Sequence, residues 1–136
     1  MVRTSNPSST AVQNVEGTDG RMFYEHMASV VAAMGSATLG ECGYSHVGAV
    51  VGATCPQEAR VLRELMPEQI FLVPGYGAQG ATATDCAASF KDGAGAMVNA
   101  SRSVLYPEPV DGCWKKGVEA AAIAFAQDIA QAVGVR

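Results

Sequence analysis

The stretch Phe71-Leu-Val-Pro-Gly-Tyr-Gly-Ala-Gln-Gly80 decides how this chain is read. It opens as an apolar run of strand length and ends in a glycine-rich loop whose backbone N–H groups no Cβ shields. A second run of the same kind, Ala96-Met-Val-Asn-Ala100, leads into Ser101, Arg102 and Ser103, which sets an arginine at a strand end. Two consecutive strand-to-helix loops of this sort form a phosphate cradle. The arrangement is typical of the last two units of a (β/α)8 barrel.

Two more apolar runs lie upstream, Met1-Val-Arg-Thr-Ser5 and His46-Val-Gly-Ala-Val-Val-Gly-Ala53. The runs 46–53 and 70–74 are nearly continuous in hydrophobicity, the pattern of parallel strands buried on both faces. Helical stripes follow each strand. Phe23, Met27, Val30 and Met34 share one face, and Ala59, Leu62 and Leu65/Met66 share another. Thr54-x-x-Gln57, with Pro56 in the first turn, predicts a capping box opening the second helix, and Pro67 stops it. Asp85 to Lys91 predicts a short, weak helix. Val118, Ala122, Phe125, Ile129 and Val133 form the longest stripe, and Gly134 is placed to close it as a left-handed cap. All these stripes are expected to face a core. The order β-α-β-α-β-α-β-α predicts an α/β fold with a parallel sheet. Four units cannot close an eight-stranded barrel, which takes about 250 residues. The chain is therefore either a small open α/β domain or half of something larger.

At 136 residues the chain makes one domain, and its 49 % apolar content can fill a core. Only 16 % of residues are charged, against roughly 25 % in an average domain. Either the surface is rich in Ala and Gly or further protein covers part of it, and the topology favours the second. With a net charge of −4 and no Lys/Arg run, no nucleic-acid partner is expected, although a single phosphate needs only a local site. Lys115-Lys116 reads as a solvated patch. Cys42, Cys55, Cys86 and Cys113 form no C-x-x-C pair, and His26 and His46 have no paired spacing, so reduced thiols in a cytoplasmic protein are expected. No apolar run approaches the ~20 residues of a bilayer span, and neither a membrane segment nor a signal peptide is expected.

Four stretches together carry a resemblance: Arg3-Thr-Ser-Asn-Pro-Ser8; Val50-Val-Gly-Ala-Thr54 leading to Pro56-x-Glu58 and Leu62-Arg63; Leu72 to Gly80; and Asn99-Ala-Ser-Arg-Ser103. In this order and spacing the chain resembles the orotidine 5′-phosphate decarboxylase family, in its longer bacterial subgroup. The resemblance covers nearly all of the first 106 residues, and beyond them it extends only to a generic terminal helix. It implies a (β/α)8 TIM barrel acting as a homodimer, with this chain covering strands five to eight, so that residues 1–136 are the C-terminal half of one barrel domain. It implies decarboxylation of orotidine 5′-phosphate to uridine 5′-phosphate (UMP) in pyrimidine biosynthesis, with no metal and no organic cofactor. The family's D-x-K-x-x-D array belongs to the first half and is absent here, where the only lysines are Lys91, Lys115 and Lys116. The isolated chain is therefore expected to be inactive, with no catalytic residue of its own.

The same resemblance implies a set of substrate-binding residues. Ser5 would hydrogen-bond the amide edge of the pyrimidine, although a serine before Pro7 also suits a plain turn. Pro74 would lie against the ring, or simply end a strand. Gln79 would touch the phosphate and bridge toward the base. Arg102 would grip the phosphate with two parallel hydrogen bonds, helped by the backbone N–H groups of Ser101 and Arg102. Tyr76 is assigned no role. Arg3 and Arg63 read as structural or interface charges, and Asp85, Asp111 and Asp128 as helix-start or surface carboxylates. Two other classes fit the cradle: a different phosphate-binding barrel enzyme acting on a sugar phosphate, and a non-catalytic phosphate- or nucleotide-binding module.

Overall fold

A computed structural model describes residues 1–135, with only the backbone of Pro7. A 3-10 turn at Pro7–Ser9 precedes α1 (Thr10–Gln13) and α2 (Phe23–Gly35). Then come β1 (Ala49–Val50), α3 (Pro56–Leu65), β2 (Phe71–Pro74), α4 (Ala83–Ala87), β3 (Ala96–Asn99), α5 (Ser101–Leu105) and α6 (Trp114–Val133). The strands form one parallel sheet in the order β1-β2-β3, with Ala49 beside Phe71 and Phe71 beside Ala96. Each crossover carries a helix, as parallel pairing requires.

The strand expected at Met1–Ser5 is reduced to one parallel bridge, Arg3 to Val51. The amides of Val2 and Arg3 both donate to the Val50 carbonyl, at 3.0 and 3.2 Å, and the Gly52 amide donates to Arg3 O at 2.8 Å. The segment thus sits where a fourth strand would lie, but it turns away at Thr4 into the helical residues 7–13. Met1–Ser5, β1, β2 and β3 stand side by side in chain order, as successive staves of a barrel do.

Only one face of this sheet is buried, contrary to the two-sided burial expected from the sequence. Phe71 and Val73 alternate inward and pack against Ala59, Leu62 and Met66 of the α3 region, all inaccessible to solvent. On the other face Leu72 is 39 % and Met97 59 % exposed. In a closed barrel that face is lined by the opposite strands. Among the described residues nothing covers it.

The α2 stripe is corrected as well. Tyr24, Ala28 and Gly35 are the buried positions, whereas Phe23, Val30 and Met34 are exposed. The small residues let α2 approach closely; of the expected stripe Met27 packs against the core, while Phe23, Val30 and Met34 lie along the open flank. The α3 stripe and the α6 stripe do face inward, the latter half-buried, and Gly134 caps α6 at φ 78°. The capping box expected at Thr54 is not formed. Cys55 is the cap of α3 and its side chain accepts nothing, while Thr54 Oγ1 lies 3.9 Å from Cys55 Sγ. A capping box occurs instead at α4, where Asp85 accepts from Thr82 N at 2.8 Å and Thr82 Oγ1 accepts from Asp85 N at 3.3 Å. This box starts α4 at Ala83, earlier than the predicted Asp85.

Arg63 joins these elements. Its side chain is buried over the Phe71 ring, 3.6 Å from the centroid. It donates to Ser89 O, Met66 O, Gln69 O and Gly95 O at 2.8–3.0 Å. Four carbonyls from the two loops that precede β2 and β3 converge on one cation. Burial pulls its pKa down to about 10, still well above neutrality. Arg3 is the second buried cation, donating to Gln13 Oε1 at 3.0 Å and facing Glu58 at 3.5 Å. Both arginines are structural, as expected from the sequence.

Candidate functional site

The carboxyl ends of β2 and β3 open into one cleft of ≈170 Å3, lined by Pro74, Gly75, Tyr76, Ala78, Gln79, Asn99, Ala100, Ser101 and Arg102. Four of the five expected site residues, Pro74, Gln79, Ser101 and Arg102, line it. Ser5 does not line it but reaches it through Gln79, its Oγ donating to Gln79 Oε1 at 2.5 Å. Elements distant in sequence thus converge on one rim of the sheet, the rim where parallel α/β folds bind ligands.

The loop after β2 owes its shape to glycine. Gly75 and Gly77 have φ of 118° and 65°, in the region that residues with a Cβ rarely enter. Its base is closed by Ala81 N to Gly75 O at 3.2 Å and Gly77 N to Ala81 O at 2.9 Å. Gly75 and Ala81 are buried, while residues 77–80 project into solvent. Gln79 therefore rides on an exposed apex.

Arg102 lies in the first turn of α5, is exposed, and has no hydrogen-bond or ion-pair partner among the described residues. Its charge is free for a ligand. The backbone N–H groups of Ser101 and Arg102 lie in the same first turn and have no intrahelical acceptor. The helix behind them is only 5 residues long and adds little dipole. Ser101 Oγ donates to Asn99 Oδ1 at 2.9 Å, which places Asn99 in the cleft wall. Sequence reasoning missed Asn99, although its place at a strand end before the serines was a usable signal.

Tyr76 was also given no role. Its hydroxyl donates to Asp128 Oδ2 on α6 at 2.7 Å, and its ring tilts against Phe125 with centroids 4.9 Å apart. The hydrogen bond to that carboxylate, with burial, pushes its pKa up to about 12. A larger cleft of ≈510 Å3 lies against Arg60, Arg63 and Lys91, but Arg63 is already bonded to four carbonyls. Among the described residues no cluster of His, Cys, Asp or Glu could hold a metal ion, and no helix is long and apolar enough to cross a membrane. All four cysteines are free thiols.

At ≈170 Å3 the cleft is smaller than the roughly 300–1,000 Å3 of a pocket that encloses a whole ligand. It suits the anionic end of a longer molecule, whose remainder would extend over Pro74 and the open sheet face.

No family model matches the chain. Over 105 residues, 77 % of its length, it is 45 % identical to orotidine 5′-phosphate decarboxylase of Clostridium tetani, covering 36 % of that protein. A solved structure described as an orotidine-monophosphate-decarboxylase of Toxoplasma gondii matches 97 % of this chain and 48 % of its own, with a TM-score of 0.79 and 26 % identity. Another, described as an orotidine 5′-phosphate decarboxylase of Streptomyces avermitilis, matches 98 % of this chain and 44 % of its own, with a TM-score of 0.70 and 32 % identity. The chain spans between a third and a half of these proteins, and the part it matches is their C-terminal half. By sequence and by its parallel α/β architecture, the chain belongs to the orotidine 5′-phosphate decarboxylase family of TIM barrels, corresponding to the C-terminal half of its members.

Proposed function

We propose that residues 1–136 form the C-terminal half of one (β/α)8 domain that decarboxylates orotidine 5′-phosphate to UMP, and that this half supplies the grip on substrate. The observation that carries the reading is the shared cleft of Gln79 and Arg102, reached from consecutive loops, with the arginine's charge unspent. Arg102 and the amides of Ser101 and Arg102 would hold the phosphate. Gln79 would span from phosphate toward base, Ser5 would meet the pyrimidine amide edge, and Pro74 would pack on the ring.

The reaction breaks the bond between the ring and its carboxylate. CO2 departs and the electron pair stays on a ring carbon, which then takes a proton. This chain has no Asp/Lys array to stabilise that charge or deliver the proton, so those groups would come from the complementary half. Binding energy at the remote phosphate orients the base and closes the loops around it. The exposed Leu72 and Met97 and the unpaired edge of β3 support a complementary half, because a closed barrel covers both. The working assembly would be a cytoplasmic homodimer with a nucleotide ligand and no nucleic acid or membrane partner. The free thiols support that compartment.

The test is a decarboxylation assay on this chain with and without a first half from a relative. Activity only in the mixture is expected, and Arg102→Ala should lower kcat/KM by orders of magnitude. A mixture that binds ribulose 5-phosphate in preference to UMP would assign the cleft to a sugar-phosphate enzyme instead. Binding of UMP by the chain alone, with no turnover in any combination, would leave a nucleotide-binding module.

A further inference from the structure

We propose that Tyr76 is a positioning residue, which latches the Gln79 loop to the terminal helix through Asp128 and Phe125. The inference rests on the reading of the cleft as a phosphate site.

The loop's own bonds fix only its base. Gly75 and Gly77 flank Tyr76 with backbone conformations open to few other residues, and the main-chain hydrogen bonds join residues 75, 77, 80 and 81 to one another. None of them ties the loop to the rest of the protein. Two side-chain hydrogen bonds do so among the described residues. Ser5 holds Gln79 from one side, and Tyr76 holds Asp128 from the other.

The two ties differ in kind. Ser5 and Gln79 meet with groups that a ligand would compete for. Tyr76 lines the cleft, but the Asp128 it donates to stands on α6 beside Thr82, Thr84 and Gln131, outside the cleft lining, so their bond can persist in the occupied and the empty site. Tyr76 is also the last half-buried residue before the exposed apex, and its ring rests on Phe125 one turn before Asp128. A phenol donating to a carboxylate is a charge-assisted bond, stronger than a neutral one. The ring and hydroxyl together set the direction in which residues 77–80 leave the sheet. That direction decides whether Gln79 and Arg102 can face one phosphate.

The test uses the barrel containing both halves. Tyr76→Phe keeps the ring on Phe125 and removes only the donor. Asp128→Ala removes the acceptor, and Asp128→Asn restores one. Affinities for UMP and for uridine are measured by calorimetry, and amide exchange is followed across residues 75–81. The expected result is UMP affinity about tenfold lower in Tyr76→Phe and Asp128→Ala, no further loss in the double variant, and uridine affinity unchanged. Exchange at Gly77, Gly80 and Ala81 should rise in both, and Asp128→Asn should lie between wild type and Asp128→Ala. If exchange in Tyr76→Phe matches wild type, or if the two losses add, the latch is overturned. If wild type binds UMP no better than uridine, the phosphate reading fails, and exchange alone then decides the latch.

Discussion

Ser5 Oγ donates to Gln79 Oε1 at 2.5 Å, joining residues 74 positions apart. The bond links the segment paired with Val51 to the loop that follows β2. The bond turns Oε1 of the Gln79 amide toward Ser5 and leaves Nε2 free to donate to an anion. Ser5→Ala should release that orientation and weaken UMP binding by a few-fold in the whole barrel, while leaving the melting temperature within about 2 °C. Calorimetry beside a thermal melt checks it.

Gly52 guards the same contact from behind. A Cβ there would lie 2.9 Å from Ser5 N and 3.2 Å from Ser5 Cβ. Since Gly52 N also donates to Arg3 O, the two backbones cannot separate without losing that bond. Gly52→Ala should cost about 1–3 kcal/mol of stability and weaken UMP binding more than Ser5→Ala does. Chemical denaturation and a UMP titration of the same sample measure both effects.

In the proposed function Arg102 holds the phosphate, and its side chain meets no partner among the described residues. Arg102→Ala should lower UMP affinity at least tenfold and leave uridine affinity unchanged. Arg102→Lys should recover only part, because an ammonium cannot make two parallel bonds. Equal losses for UMP and uridine would show that Arg102 supports the fold instead.

Arg63 should be the costliest arginine for stability. Arg63→Met keeps the stem over Phe71 and removes the shared donor to four carbonyls, of which Gly95 O keeps its bond from Phe71 N. A loss of about 3 kcal/mol or more is expected, lowering Tm by roughly 10 °C. A melt unchanged within about 2 °C would contradict this.

Cys86 sets an alkaline limit. Burial, with Asp85 and Asp128 nearby, pushes its thiol up to about 11 from an ordinary 9. The folded state therefore keeps the proton that the unfolded chain loses. This contribution is whole below pH 9, declines as pH rises, and is gone above about 11, a change on the order of 2 kcal/mol. Denaturation midpoints at pH 8 and 10.5 should diverge in wild type and less so in Cys86→Ala.

Much was legible in the chain because it depends on neighbours in sequence. Phe71–Pro74 reads as a strand because its apolar run stops at a proline. Gly134 ends α6 because only a left-handed residue closes that turn cheaply. The loop of Gly75, Gly77 and Gly80 and the strand-end Arg102 mark a cleft through local sequence alone. The α2 stripe was misread because periodicity counts apolar residues and not sizes, and the close approach of α2 chose Ala28 and Gly35 over Met34. The Thr54 capping box was misread because Pro56 started the helix a residue later than the motif required.

Pattern and spacing in the chain alone pointed to a parallel α/β fold, a cleft between two strand-end loops, and a different use for Arg102 than for Arg3 and Arg63. Tertiary structure alone decided that Arg3 and Arg63 are buried, which face of the sheet stands open, and that Tyr76 reaches Asp128. Those outcomes depend on contacts between residues 26 to 74 positions apart, and no local periodicity encodes such distances.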